Sequence, residues 1–314
     1  MSTYSDKLKI FAGNCHPRLA KEICQILGTS LVSAEITRFK DGEISVRIDE
    51  TVRGADVFVI QPTSPSVNEN IMELLVMIDA LRRASARRIT AVVPYYGYAR
   101  QDRKARPRDP ITAKLIANLI TTAGARRLLA VDFHAPQIQG FFDIPVDHLY
   151  ASPIMIDYFK DKDLGNTTAV APDVGAVKRV RSFAEALDIP LAIVDKRRPK
   201  ANIAEVKNLI GDVEGRDVIL LDDIIDTAGT ITGAARMLKE KGAKKIYLCA
   251  THGLFSGPAI DRLRDAPINE LVITNTIPQT DDYGLDNLKI LSVAPLLGEA
   301  IDRIFKDLSV SVLF

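Results

Sequence analysis

Asp222 and Asp223 stand side by side directly after the apolar run Val218 to Leu221, and Asp226-Thr227-Ala228-Gly229-Thr230 follows three residues later. Adjacent carboxylates accept hydrogen bonds from vicinal sugar hydroxyls, or hold a metal-bound water. A turn of small and hydroxylated residues that opens a helix offers unpaired backbone N–H groups to a phosphate. The run therefore reads as a cradle for a sugar phosphate. Each residue alone has a plainer reading as a helix cap or a solvated acid, but capping does not call for paired acids after a buried strand. The Gly-x-x-x-x-Gly-Lys-[Ser/Thr] pattern of nucleotide P-loops does not occur in this run.

Further segments carry chemistry of the same kind. From Arg100 to Asp109 five basic residues face two acidic ones, beside Tyr95, Tyr96 and Tyr98. Guanidinium groups pair with phosphate oxygens and rings cover a base, so the segment suits a nucleoside triphosphate; a solvated loop or a weak RNA contact is the alternative. His134 follows the apolar run Leu128 to Val131, and Asp173 follows Ala169 to Ala171 before a Gly turn. A lone histidine is often structural. As a ligand set, one His and one Asp suit a loosely held magnesium ion shared with substrate phosphates, not zinc. Lys196, Arg197, Arg198 and Lys200 crowd the end of another apolar run, as a surface loop or as a cationic lid over a transferring phosphoryl group.

Parallel sheets covered by helices position such residues, because apolar runs alternate with amphipathic segments along nearly the whole chain. Val218 to Leu221 predicts a short central strand that delivers the acidic pair at its C-terminal end, and a helix starting between Thr230 and Thr232. The pattern also repeats. Gly54-Ala55-Asp56-Val57-Phe58-Val59-Ile60-Gln61-Pro62 aligns with Gly215-Arg216-Asp217-Val218-Ile219-Leu220-Leu221-Asp222-Asp223, and Ala86-Arg87-Arg88-Ile89 with Ala243-Lys244-Lys245-Ile246. Two copies of one α/β unit are expected. Gln61-Pro62 replaces the acidic pair in the first, so only the second should bind the sugar phosphate. Domains are drawn at 1–148 and 149–294, with a helix and tail at 295–314 that packs back on the first.

In 314 residues, 41 Lys plus Arg nearly balance 40 Asp plus Glu. That balance gives no global pull toward nucleic acid or a membrane. Three scattered cysteines argue against a disulfide framework and fit a reducing cytoplasm. The opening residues carry no apolar signal core, and no stretch approaches spanning length.

Together these motifs closely resemble the phosphate-activated class of ribose-phosphate pyrophosphokinases. The likeness runs from Arg38-Phe39-Lys40-Asp41-Gly42-Glu43 through Tyr95 to Lys104, His134 to Phe142, Lys196-Arg197-Arg198-Pro199 and Asp222 to Thr230, to the terminal Ser309 to Phe314. It implies two domains of the type I phosphoribosyltransferase fold and magnesium-dependent transfer of a pyrophosphoryl group from ATP to ribose 5-phosphate. It also implies roles for single residues. Asp226, Thr227, Ala228, Gly229 and Thr230 hold the 5-phosphate, Asp222 and Asp223 the ribose hydroxyls, and Arg100 and Gln101 ATP. Phe39, Asp41 and Glu43 hold adenine from a neighbouring subunit, and His134 and Asp173 are linked to magnesium. Lys196 and Arg198 act on the transition state. Arg53, Ser309 and Ser311 match positions for phosphate and ADP as effectors, in a homo-oligomer expected to be a hexamer. Two positions depart from the pattern: Ala176 for Gly, and Lys40 for a small residue. A catalytically silent regulator would lose the lid cations or the acidic pair, which this chain keeps. A base-transferring phosphoribosyltransferase would need neither the duplicated half nor the Arg100 to Arg108 segment.

Overall fold

The computed structural model describes residues 7–197, 206–280 and 283–313. They form two compact units, one of Met1–Tyr150, Thr276–Pro278 and Ser292–Phe314, the other of Ala151–Asn275 and Gln279–Leu291. The boundaries drawn from sequence missed the excursion at 276–278, which joins the first unit although it is 126 residues or more beyond Tyr150.

The first unit runs β1 (Leu8–Ala12), α1 (Pro17–Leu27), β2 (Ala34–Arg38), β3 (Ile44–Ile48), β4 (Asp56–Ile60), α2 (Val67–Arg83), β5 (Arg88–Val93), α3 (Thr112–Ala123), β6 (Arg127–Val131) and β7 (Val146–Leu149). Among the described residues its main sheet has the order β1-β4-β5-β6-β7, every pair parallel. All five residues of β4 are buried, as a central strand covered on both faces requires. Leu74, Met77, Ile78 and Leu81 of α2 recur at helical spacing and fill the core on one face. The pair β2–β3 forms a separate two-stranded sheet.

The second unit continues with α4 (Ser152–Lys160), β8 (Thr167–Ala171), α5 (Val177–Ala186), β9 (Leu191–Arg197), β10 (Val206–Ile210), β11 (Asp217–Ile225), α6 (Gly229–Glu240), β12 (Ile246–Gly253), α7 (Ala259–Arg264), β13 (Glu270–Thr274) and β14 (Leu288–Leu291). Its strand order is β10-β9-β8-β11-β12-β13-β14, parallel except for β10 against β9. The series β8-β11-β12-β13-β14 repeats β1-β4-β5-β6-β7 strand for strand. The registers agree as well: Leu8 lies opposite Asp56, and Thr167 opposite Asp217, so Gln61 takes the place of Asp222 and Asn14 that of Asp173. The hairpins differ. β9–β10 extends its sheet through β8, whereas β2–β3 stands apart from its own. After β14 comes α8 (Ala294–Phe305), which packs on α1 within the first unit.

In the first unit the strand-end cleft is closed by its own side chain. Gln61 is fully buried, and a Cβ built on Gly13 would lie 2.2 Å from Gln61 Oε1. Gly13→Ala therefore has to displace a buried amide from its hydrogen bonds, and should destabilise the protein by about 1–3 kcal/mol. Urea unfolding of the variant and the parent measures this directly; an unchanged midpoint would mean that Gln61 moves without loss.

Candidate active site

β11 is longer than the sequence suggested. It runs through Ile225, because its second half keeps pairing with β12: Asp222 opposite Ala250, Ile224 opposite His252 and Ile225 opposite Gly253. The acidic pair thus sits inside the strand, beyond its last pairing with β8, Leu220 opposite Val170. Extra ladder hydrogen bonds on one side hold the two acids more rigidly than a loop would. α6 likewise starts earlier than expected, at Gly229, with Ala228 as its N-cap in the left-handed region at φ 59°. An alanine there is uncommon and strained. The conformation turns the chain sharply enough for the first-turn N–H groups of α6, which have no partners within the helix, to face one anion. The turn is braced from behind: Arg262 Nη1 donates to Thr227 O at 2.9 Å, Ser256 N to Asp226 O at 2.9 Å, and Thr232 Oγ1 to Ala228 O at 2.8 Å.

Asp223 is buried and Asp222 half-buried, with the Asp223 N–H donating to Asp222 Oδ1 at 2.9 Å. Arg179 of α5 reaches both. Its Nη1 is 3.3 Å from Asp223 Oδ1 and 4.0 Å from Asp222 Oδ1. Burial, reinforced by the charge of Asp223, pushes the Asp222 carboxyl up to about 8, and Arg179 opposes that rise. The native state therefore holds a proton that the unfolded chain gives up near the ordinary carboxylate value. This contribution to stability is complete at low pH and is lost as the pH climbs through about 8. Asp222→Asn removes the titration. Relative to the parent, the variant should gain stability steadily between pH 5 and pH 8, as thermal melts across that range will record; a constant difference would refute the raised value.

Arg179 was not singled out from sequence. The available signal was its spacing, six residues past Asp173 in the helix that follows. Asp173 itself is exposed at the end of β8, and its Oδ1 accepts from Ala176 N at 3.1 Å. Ala176 has ordinary helical angles, φ −80° and ψ −12°, so replacing glycine there leaves the turn intact. Lys196 lies on β9, opposite Lys207 of β10; Arg198 lies outside the described residues.

In the first unit the basic segment is irregular, as expected. Gln101 is fixed by Thr112, whose Oγ1 donates to Gln101 Oε1 at 2.6 Å. Arg100 and Gln101 share the lining of a cavity of about 390 Å³ with Tyr95, Tyr98, Asn68 and Glu69. His134 is exposed three residues past the end of β6, not at the strand end itself. The neighbouring 3₁₀ turn is tied to the basic segment by Gln137, whose Nε2 donates to Asp102 Oδ2 at 2.7 Å. Phe39, Asp41 and Glu43 occupy the exposed tip of the β2–β3 hairpin. There Phe39 N donates to Glu43 O at 2.8 Å, Glu43 N to Asp41 Oδ1 at 3.1 Å, and Gly42 supplies φ 95°. Phe39 is 59 % exposed. Ser309 and Ser311 come together, Oγ to Oγ 2.6 Å, and Ser309 lines a cavity of about 310 Å³ with Arg127, Asp307 and Leu308. Arg53 is exposed between β3 and β4. Among the described residues no three His, Cys, Asp or Glu side chains cluster as a metal site, and no helix is long and apolar enough to cross a membrane.

Known proteins share this design over its full length. Residues 8–124 match the model for the N-terminal domain of ribose phosphate pyrophosphokinase, and 199–314 that for the phosphoribosyl synthetase-associated domain. Ribose-phosphate pyrophosphokinase of Caldanaerobacter subterraneus is 61 % identical over 100 % of both chains, and that of Bacillus subtilis 57 % identical over 99 % of this chain and 98 % of its own. The crystal structure of phosphoribosylpyrophosphate synthetase from Mycobacterium smegmatis covers 96 % of this chain and 99 % of its own with a TM-score of 0.91 at 44 % identity. Likeness of this extent, unbroken through both units, leaves no part of the chain to another origin: it belongs to the ribose-phosphate pyrophosphokinase family.

Proposed function

We infer that this enzyme transfers the pyrophosphoryl group of ATP to the anomeric hydroxyl of ribose 5-phosphate, giving 5-phosphoribosyl 1-diphosphate and AMP. The observation that carries the reading is the continuity of β11 into α6, which sets two acids and a phosphate-sized turn on one rigid path. Asp226 to Thr230 take the 5-phosphate through backbone N–H groups, and Asp222 and Asp223 accept from the ribose hydroxyls. Arg100 and Gln101 bind the triphosphate, with Arg100 neutralising phosphate oxygens. Lys196 and Arg198 stabilise charge on the transferring group, because phosphoryl transfer depends on positioning and neutralisation more than on covalent chemistry.

Magnesium is the proposed cofactor. The donor set fits it: His134 and Asp173 are both exposed in the segments that follow β6 and β8, and magnesium keeps several waters and takes its remaining oxygens from substrate phosphates, so one or two protein ligands suffice. Bound magnesium supplies charge neutralisation on the phosphate oxygens. The test is the nucleotide product. With ATP, magnesium and ribose 5-phosphate, AMP should form in step with the sugar diphosphate, and chelation should stop it. ADP as the main product would mean simple kinase chemistry.

Two further assignments extend this reading. Phe39 offers a stacking face for adenine bound by an adjacent subunit, Asp41 and Glu43 offer acceptors for its amino group and hydroxyls, and the assembly is a homohexamer. Ser309, Ser311 and Arg53 receive phosphate or ADP as effectors. The paired hydroxyls at 2.6 Å support that reading, since both can turn toward one anion.

A further inference from the structure

The β2–β3 hairpin presents a problem that its own sequence does not solve. Two strands alone are marginal in water, and this pair makes no ladder with the main sheet of its unit among the described residues. Ala34, Ile36, Val46 and Ile48 pack their half-buried faces on the core, which resists lifting but leaves sliding cheap. Direction has to come from polar contacts, and α2 supplies two of them one turn apart.

The first is Glu73, only 3 % exposed. Its Oε1 accepts from Asn14 N at 2.6 Å and from Gln61 Nε2 at 2.8 Å, and its Oε2 from Asn14 Nδ2 at 3.0 Å. Asn14 then passes the link on, its Nδ2 donating to Ile36 O in β2 at 3.2 Å. The second is Glu69, whose Oε2 lies 2.6 Å from Arg38 Nη2, at the residue before Phe39. A buried carboxylate is expensive unless its oxygens are bonded. Here the donors come from the loop after β1 and from Gln61 after β4, so Glu73 ties these two loops to α2, and Asn14 ties the result to the hairpin. Asn14 and Gln61 hold the register positions that Asp173 and Asp222 hold in the second unit. In the first copy these positions bond to Glu73, and through Asn14 to the hairpin.

We propose that Glu73, acting through Asn14, is a positioning residue that aims the β2–β3 hairpin and thereby sets the affinity for ATP, with the Arg38–Glu69 pair as a second, exposed latch. This rests on the reading of Phe39, Asp41 and Glu43 as the adenine clamp. The second copy needs no such latch, because β9 is hydrogen-bonded to β8 along its sheet edge.

Hydrogen exchange and steady-state kinetics on the full-length oligomer test it, with Glu73→Gln, Asn14→Ala and Phe39→Ala compared. Asn14 is exposed, so its variant folds even if Glu73→Gln does not. In Asn14→Ala the amides of 34–48 should exchange about tenfold faster, the KM for ATP should rise about fivefold, and the KM for ribose 5-phosphate should stay within about twofold. Glu73→Gln should do the same or more. Unchanged exchange in 34–48 overturns the latch. Faster exchange with an unchanged KM for ATP also overturns the positioning role, provided that Phe39→Ala raises that KM. If Phe39→Ala leaves the KM for ATP unchanged, the clamp reading fails, and with it the role of the latch in ATP binding.

Discussion

Lys196→Ala should lower kcat by about a hundredfold or more while KM for either substrate changes little. The reason is the point at which the cation acts. Charge on the transferring pyrophosphoryl group is greatest in the transition state, and removing one preorganised stabilising group from such a site costs on the order of 10²–10³ in kcat. Uniform binding would instead raise KM with kcat intact. Lys196 is the penultimate residue of β9, its backbone paired with Lys207 of β10, and β9 is parallel to β8 earlier in the strand. Lys196→Arg, which keeps the charge but changes its shape, should retain part of the rate. Steady-state rates with both substrates saturating decide the matter, and near-normal turnover by the alanine variant would reduce the cationic lid to a surface loop.

Asp223→Asn should show the opposite signature. Asp223 is the more buried acid of the pair, and a hydrogen bond to a charged group is worth about 1.5–3 kcal/mol. At about 1.4 kcal/mol per tenfold, its loss should raise the KM for ribose 5-phosphate by roughly ten- to a hundredfold. The KM for ATP should remain within about threefold. In this variant Arg179, 3.3 Å from Asp223, loses its nearer charged partner. Combining it with Arg179→Gln in the same chain should therefore give a non-additive result, as expected of groups in contact. Initial rates at varied ribose 5-phosphate distinguish this from a structural role for the acid; an unchanged KM would remove Asp223 from the sugar site.

Much of the candidate site was legible along the chain because its proposed residues are neighbours there. Asp222 to Thr230 form one strand–turn–helix passage, and the repeat of Asp56 to Ile60 in Asp217 to Leu221 foretold two sheets whose strand orders then matched. Boundaries were harder. An apolar run ends where side chains turn polar, but a strand ends where pairing stops, so Val218 to Leu221 understated β11 by the part that β12 still pairs. The excursion at 276–278 escaped for a similar reason, since local composition does not record which core a loop joins.

From the sequence alone came the parallel α/β architecture, the duplicated unit, and the segment in which paired acids lead into a turn of small and hydroxylated residues, since each depends on periodicity or on groups within one element of each other. Tertiary structure decided what depends on partners far apart in the chain. Arg179 meets Asp223 across 44 residues, and Glu73 meets Asn14 across 59, contacts that no spacing rule contains. Those pairings arise only when two strands settle into register and bring their end loops together, and the burial that results is what raises Asp222 and makes Glu73 gather three donors. Residue type supplies the charge; the depth at which the fold places it determines how strongly that charge must be answered.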